Sequence, residues 1–109
     1  MSMQFRGGMS ELMRQASRLQ RKIEARKKEL AAETIEADAG GGKVTATVNG
    51  AGELVRVKID PELLKSGEDT SMVEDLIVAA SNAALAKAKE YVDAELEKVT
   101  GGMKIPGMT

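Results

Sequence analysis

The 109-residue sequence has no cysteine, no histidine and only two aromatic residues, Phe5 and Tyr91. Without cysteine there can be no disulfide bond, no thiolate metal site and no thiol catalysis. Without histidine the chain lacks the commonest general base and the commonest metal ligand. Two aromatic side chains are too few for a platform on which single-stranded bases stack. These absences argue against most enzymes and metalloproteins and leave binding functions open.

Long apolar runs are also missing. No uninterrupted apolar stretch approaches the ~20 residues that a membrane-spanning helix needs, and no signal-peptide core is visible. We therefore expect a cytoplasmic protein with no membrane partner. Leu, Ile, Val and Phe together number 23, whereas alanine alone numbers 15. A chain of this size buries a smaller fraction of its surface on folding than a larger domain does, and this one has few bulky apolar side chains, so we expect a second copy to complete the core as a homodimer.

The net charge of −1 conceals an uneven distribution. Residues 1–32 hold eight Lys or Arg against three Glu, a net charge of +5. Residues 33–109 hold eight Lys or Arg against fourteen Asp or Glu, a net charge of −6. The location of charge along the chain is therefore more informative about partners than its total.

Apolar residues from Met9 recur at alternating intervals of three and four, which predicts a helix to about Ala32 with a narrow coiled-coil-like stripe. Residues 1–8 are predicted to be a flexible tail. We expect the stripe to pair with another helix, within the chain or across a dimer. Its seam residues are Leu12, Leu19, Ile23 and Leu30. Arg26 interrupts the stripe, and we interpret it as an interhelical salt-bridge or register residue.

After Glu33 the apolar period changes to two, which predicts three strands: TIEADA, KVTATVN and ELVRVKI. Gly40–Gly42 and Asn49–Gly52 are typical of the turns between them. Val55, Val57 and Ile59 should share the apolar face. A second helix is predicted from a capping box at Ser71 to about Thr100, ended by Gly101 and Gly102. The expected fold is α+β, α-β-β-β-α with a three-stranded antiparallel meander and two long helices, in one domain over 9–102 followed by a flexible tail over 103–109.

No motif predicts catalysis, a metal or a cofactor. The glycines before Lys43 do not form a phosphate loop, because Ala37 and Val44 stand where glycine and Ser or Thr are required. Acidic pairs at 68–69 and 74–75 flank a helix N-terminus, where carboxylates favour the helix dipole. No serine lies in a nucleophile motif. We expect no enzyme, no metal, no cofactor and no small-molecule substrate.

The first helix carries a basic ridge opposite its apolar stripe. One interpretation is a solvated face balanced by acidic residues of the second helix. The other is a surface that binds a regular array of phosphates. Binding to such an array strengthens with the number of cations in contact, and a dimer doubles that number. We favour phosphate contacts with double-stranded DNA. The predicted contact residues are Arg6, Arg14, Arg18, Arg21, Lys22 and Lys28.

Five collinear stretches together resemble the YbaB/EbfC family of bacterial nucleoid-associated proteins. They are GGMSELMRQASRLQRKI at 7–23, GGGKVTATVNG at 40–50, VRVKIDPELL at 55–64, VEDLIVAASNAA at 73–84 and GGMKIPGM at 101–108. The resemblance implies an intertwined α/β homodimer with projecting helices and no enzymatic activity. It also implies binding of double-stranded DNA, with a role in nucleoid organisation or gene regulation, and hence a cytoplasmic location at the nucleoid.

We therefore expect a homodimeric DNA-binding protein with low or shape-based sequence specificity. The alternative is a protein-interaction module whose projecting helices bind a partner protein and not nucleic acid. Because residues 33–109 are acidic, the contact with DNA is assigned to the first helix.

Overall fold

The computed structural model describes residues 2–65, 67 and 69–101, with side chains from residue 8 onward. Its elements, in chain order, are α1 (Ser2–Ala31), β1 (Thr34–Ala39), β2 (Val44–Asn49), β3 (Leu54–Ile59), α2 (Pro61–Lys65) and α3 (Thr70–Thr100). This confirms the predicted α-β-β-β-α order. The five-residue α2 adds one short helix to the connection between the sheet and the last helix.

The start of α1 differs from the prediction. The helix begins at Ser2 and continues through the glycine pair at 7–8, so the predicted start at Met9 is wrong. Glycine inside a helix costs about 1 kcal/mol relative to alanine, which weakens the helix at that point without breaking it. The glycine pair is therefore not a helix boundary. The predicted C-terminal tail at 103–109 lies outside the described residues.

The three strands form an antiparallel sheet in the order β1-β2-β3. Alternate residues of the central strand, Val44, Ala46 and Val48, are completely buried. They pack beneath three alanines of α3 at positions 80, 84 and 88. Small side chains let the helix backbone approach the sheet closely. The principal core of the protein therefore lies between α3 and the central strand.

The edge strand β3 is covered less well. Its pairing with β2 shifts by one residue, so that Val48 lies opposite Leu54 and Val55 has no partner in the register. Such a bulge disrupts the alternation that the sequence pattern assumes. The side chain of Val55 is 57% exposed, so its expected burial with Val57 and Ile59 is wrong. The helix α3 lies over β1 and β2 and barely contacts β3.

The ends of α3 are capped by different chemistry. Asp69 is the N-cap, and its carboxylate accepts hydrogen bonds from the Ser71 backbone N–H at 3.3 Å and from the Ser71 hydroxyl at 2.8 Å. These hydrogen bonds lower the pKa of Asp69. The predicted cap at Ser71 is therefore wrong by two positions. The predicted stop is confirmed, because Gly101 adopts a left-handed conformation (φ 66°) and its N–H donates to the carbonyl oxygen of Glu97.

Candidate nucleic-acid interface

The C-terminal half of α1 packs against the C-terminal half of α3. Ile23 and Leu30 of α1 form a buried cluster with Leu96 of α3, and Leu19 packs on its edge. Tyr91, Val92 and Val99 complete the α3 side of the contact. Three of the four predicted seam residues therefore meet α3 of the same chain.

Arg26 interrupts the apolar stripe and bridges the two helices, as predicted. Its Nη2 lies 2.6 Å from Oε1 of Glu95 on α3, and its Nη1 lies 3.4 Å from Glu29 and 3.7 Å from Glu33. The Arg26 and Glu95 side chains are only 27% and 16% exposed, so this pair is partly protected from water. Lys98 and Arg26 donate hydrogen bonds to Glu95, and these lower the pKa of its carboxyl group.

The two helices are antiparallel, and they are offset along their axes so that they overlap over only part of their lengths. Glu33 accepts a hydrogen bond from the Tyr91 hydroxyl at 2.8 Å, whereas Arg26 meets Glu95 farther along α3. Because α3 ends at Thr100, the part of α1 before about residue 19 projects beyond it. At 1.5 Å per residue, this projection is about 25 Å long. Leu12, the fourth predicted seam residue, lies on it and is 63% exposed.

Apart from Arg26, the described basic side chains of α1 are exposed and pair with no acidic residue of α3. Five of the six predicted contact residues have described side chains, and all five are exposed: Arg14, Arg18, Arg21, Lys22 and Lys28. Arg6 lies on the α1 backbone, but its side chain is outside the described part of the chain. Met13, Arg14, Ser17, Arg18 and Arg21 line an open groove along the projecting helix.

Most of these cations are not neutralised. Arg14 forms a loose pair with Glu11 of the same helix at 3.7 Å, with both side chains largely exposed. In the part of the chain that the structure describes, the other four form no ion pair, and Arg26 alone links α1 to an acidic residue of α3. The solvated face balanced by the second helix is therefore not what the structure contains. The ridge presents uncompensated positive charge.

Lys27 belongs to the same exposed set, although it was not among the predicted contact residues. By helical geometry it falls at the border of the apolar stripe, where a contact with another helix is expected. Because the contact between α1 and α3 is narrow, the Lys27 side chain remains in solvent. Only the overall charge of residues 1–32 could have indicated it.

Two other kinds of site, a membrane-spanning helix and a metal centre, are not found in the described residues. No described helix is long and apolar enough to cross a membrane. The acidic side chains of the same residues do not gather into a group of three or more that could hold a metal ion.

Comparison with known proteins identifies the family. The profile of the YbaB/EbfC DNA-binding family matches residues 5–103. The chain belongs to this family. The YbaB/EbfC match begins inside α1 and runs past the end of α3, so it includes the whole sheet and nearly all of both long helices.

Two curated relatives of this chain are both named nucleoid-associated proteins. A nucleoid-associated protein of Myxococcus xanthus (strain DK1622) is 50% identical over 101 residues, covering 93% of this chain and 95% of that protein. A nucleoid-associated protein of Clostridium acetobutylicum is 42% identical over 102 residues, covering 94% of this chain and 90% of that protein.

A solved structure shares the fold. The crystal structure of an uncharacterized protein from Helicobacter pylori superimposes with a TM-score of 0.71, covering 84% of this chain and 96% of that one. At 23% sequence identity, it supports the arrangement of helices and strands in this YbaB/EbfC chain and nothing about its function.

Proposed function

We propose that this chain binds double-stranded DNA as a homodimer, through the exposed basic face of α1 and with low sequence specificity. It is a DNA-binding protein of a family whose members are named nucleoid-associated proteins, and we infer that it acts at the nucleoid. DNA binding, and not catalysis, is its proposed activity. The observation that carries the assignment is the row of exposed cations on α1 that α3 leaves unpaired.

The geometry of α1 suits a phosphate backbone. Arg14 and Lys28, at the two ends of the ridge, are separated by about 21 Å along the helix axis. Duplex DNA carries one negative charge per ~1.7 Å of its axis, so several phosphates lie within reach of such a ridge. Arginine and lysine contacts with phosphates fix the position of a protein on DNA without reading the base sequence. Low or shape-based specificity follows.

Exposed apolar residues support a second copy of the chain. Met9, Leu12 and Met13 lie on the projecting part of α1, with side chains between 47% and 65% exposed. An apolar stripe along a helix without a partner is unfavourable in water and typical of an interaction site. Pairing of two such helices would cover the stripe and leave the basic ridges outside. We therefore assign Leu12 to the dimer seam and Leu19, Ile23 and Leu30 to the contact within the chain.

A salt titration tests the DNA assignment. Fluorescence anisotropy with a labelled duplex should give a slope of log K against log salt near −7 if ~8 phosphates are neutralised per dimer. Replacing Arg14, Arg18 and Arg21 by Ala removes six cations per dimer. The slope should then fall to about −2, with at least tenfold weaker binding near 0.1 M salt.

The matched control replaces three exposed lysines outside α1 by Ala, namely Lys43, Lys65 and Lys89, with the same change in net charge. This control should keep the wild-type slope. Equal weakening by both triple variants would show that net charge alone matters and would refute the α1 surface. If the purified wild-type protein does not bind duplex DNA at all, the protein-interaction module becomes the better explanation.

A further inference from the structure

The face of the sheet that α3 does not cover carries an ordered pattern of charge. Thr34 and Asn49 form an uncharged row at one end of this face. In the rest of the face, the two residues from β1 are acidic, the two from β2 are threonines and the two from β3 are basic. The register aligns them in two rows: Glu36, Thr47 and Arg56 in one row, and Asp38, Thr45 and Lys58 in the other. The acidic and basic side chains of both rows are exposed.

This pattern leaves the four charges without an ion pair among the described residues. Neighbouring strands are about 4.8 Å apart, so the acidic and basic columns are separated by about 10 Å, with the threonines between them. None of Glu36, Asp38, Arg56 and Lys58 forms an ion pair with another residue that the structure describes. The Glu36 carboxylate accepts a long hydrogen bond of 3.4 Å from the Thr47 hydroxyl, and the Lys87 ammonium donates to the backbone carbonyl oxygen of Glu36, not to its carboxylate. The face has no net charge, but its two signs lie at opposite edges.

We propose that this outer face of the sheet docks on the same face of a second copy of the chain, about a two-fold axis parallel to the strands. That axis places β1 of one copy over β3 of the other and β2 over β2. Asp38 then faces Lys58 of the second copy, and Glu36 faces its Arg56. A two-fold axis across the strands would place β1 over β1 and set like charges against each other. The charge pattern therefore selects one arrangement.

The dimensions of the face predict a weak contact. Three strands of six residues cover about 14 × 20 Å, or roughly 600 Å² for the two copies together. Stable interfaces bury about 1,200 Å² or more, so this contact is too small to hold a permanent dimer. It acts between molecules that are already close, as neighbours on one DNA would be, where the effective concentration is in the ~mM range. It is thus separate from the apolar seam of α1.

A second copy fits this face better than DNA does. A phosphate attracted to Arg56 would lie about 10 Å from the acidic column, within one Debye length at 0.1 M salt. The acidic column would repel that phosphate and offset part of the attraction. Only a surface with the same two signs in the opposite order matches both columns, and the chain itself provides that surface.

Zero-length cross-linking with a carbodiimide tests the contact without DNA, so failure here would leave the DNA assignment untouched. The reagent joins the Asp38 carboxyl group to the Lys58 amine only when the two touch. An equal mixture of ¹⁴N- and ¹⁵N-labelled protein at about 1 mM and low salt, near the effective concentration of neighbouring molecules, should give an Asp38–Lys58 cross-link with one label of each kind. At 1 M salt, where the Debye length is about 3 Å, that cross-link should disappear.

Charge reversal at Glu36 or Arg56 tests the contact without altering Asp38 and Lys58, the two residues that the reagent joins. Glu36→Arg and Arg56→Glu should each reduce the inter-chain cross-link at least tenfold, because like charges then face each other. A mixture of these two variants should restore it, and so should both changes in one chain. Glu62→Arg, an exposed position on α2, makes the same charge change as Glu36→Arg off the face and should have no effect.

Several results would overturn the proposal. It fails if the wild-type protein gives no mixed-label Asp38–Lys58 product at low salt. It also fails if the single reversals cross-link as well as the wild type does, or if combining them restores nothing. If Arg56→Glu weakens binding to a duplex while the cross-link is unchanged, the face contacts DNA and not a second copy.

Discussion

At the scale of single residues, Gly50 shows why a turn signal can be right for a reason that the sequence does not reveal. Asn49-Gly50 predicts a hairpin because glycine tolerates a positive φ. In the structure Gly52 adopts the positive φ of the loop, at 81°, and Gly50 does not. Gly50 instead lies against the end of α1, where a Cβ atom would overlap the carbonyl oxygen of Leu30. Its N–H also donates to the carbonyl oxygen of Glu33 at 3.0 Å.

Gly50→Ala should therefore lower the free energy of unfolding by about 2–3 kcal/mol, since the added methyl group meets backbone that cannot move aside cheaply. Urea unfolding at a fixed protein concentration measures the change. The matched control is Gly41→Ala, at a turn position with φ 66° and open space around the missing Cβ. Gly41→Ala should lower the free energy of unfolding by only ~1 kcal/mol, which is the cost of holding alanine in a left-handed conformation. Equal losses in the two variants would contradict the role given to close packing.

At the scale of elements, the pairing of α1 with α3 depends on the charged cluster around Glu95. Lys98 and Arg26 hold its carboxylate at 2.6 Å each and lower its pKa. A carboxyl group whose pKa is lower in the folded state stabilises the fold above its ordinary pKa, near 4.5. That contribution is lost as the pH falls through the lowered value. The helix pair should therefore weaken in acid.

Glu95→Gln should reduce the Tm at neutral pH and leave it closer to wild type well below pH 4.5, where the wild-type carboxylate is itself protonated. Thermal unfolding followed by circular dichroism across the acid range gives the comparison. Glu97→Gln, an exposed position on the same helix, serves as the control and should not change the pH dependence. A constant difference between Glu95→Gln and the wild type at every pH would indicate lost packing and not lost charge.

At the scale of the whole molecule, the structure is long and thin, with a longest dimension of 79 Å against 19 and 16 Å. The projecting part of α1 accounts for much of this length and exposes its apolar stripe. The dimer proposed above would pair two such projections and set two basic ridges on one assembly. A dimer should thus contribute both to stability and to affinity for DNA.

Light scattering at micromolar concentration should give twice the chain mass of 11.6 kDa. Leu12→Glu should shift the molecule toward the monomer, by raising the dissociation constant at least tenfold, because a charge in an apolar seam is strongly unfavourable. The control is Leu64→Glu on α2, since Leu64 is 64% exposed and Leu12 63%. A wild-type mass near 11.6 kDa would refute the dimer. If the Leu12→Glu variant remained dimeric, the assignment of Leu12 to the dimer seam would be refuted, but the dimer itself would not.

The sequence by itself determined most features that depend on neighbours along the chain, although not the start of α1 or the N-cap of α3. Alternation predicted the three strands, a heptad-like stripe predicted the first helix, and a glycine predicted where the last helix stops. Arg26 was recognisable as an interhelical residue because a lone cation in an apolar stripe needs a partner. Local steric and solvation preferences decide these features, and they are readable in a window of a few residues.

Only the tertiary structure decided how distant segments align. The offset between α1 and α3 separated Leu12 from the rest of the seam, and the bulge in β3 exposed Val55. The register of the strands set Glu36 in one row with Arg56 and Asp38 in one row with Lys58. Periodicity identifies which side of an element is apolar or charged, but not how far one element slides along another. That offset is decided by packing between residues far apart in the chain.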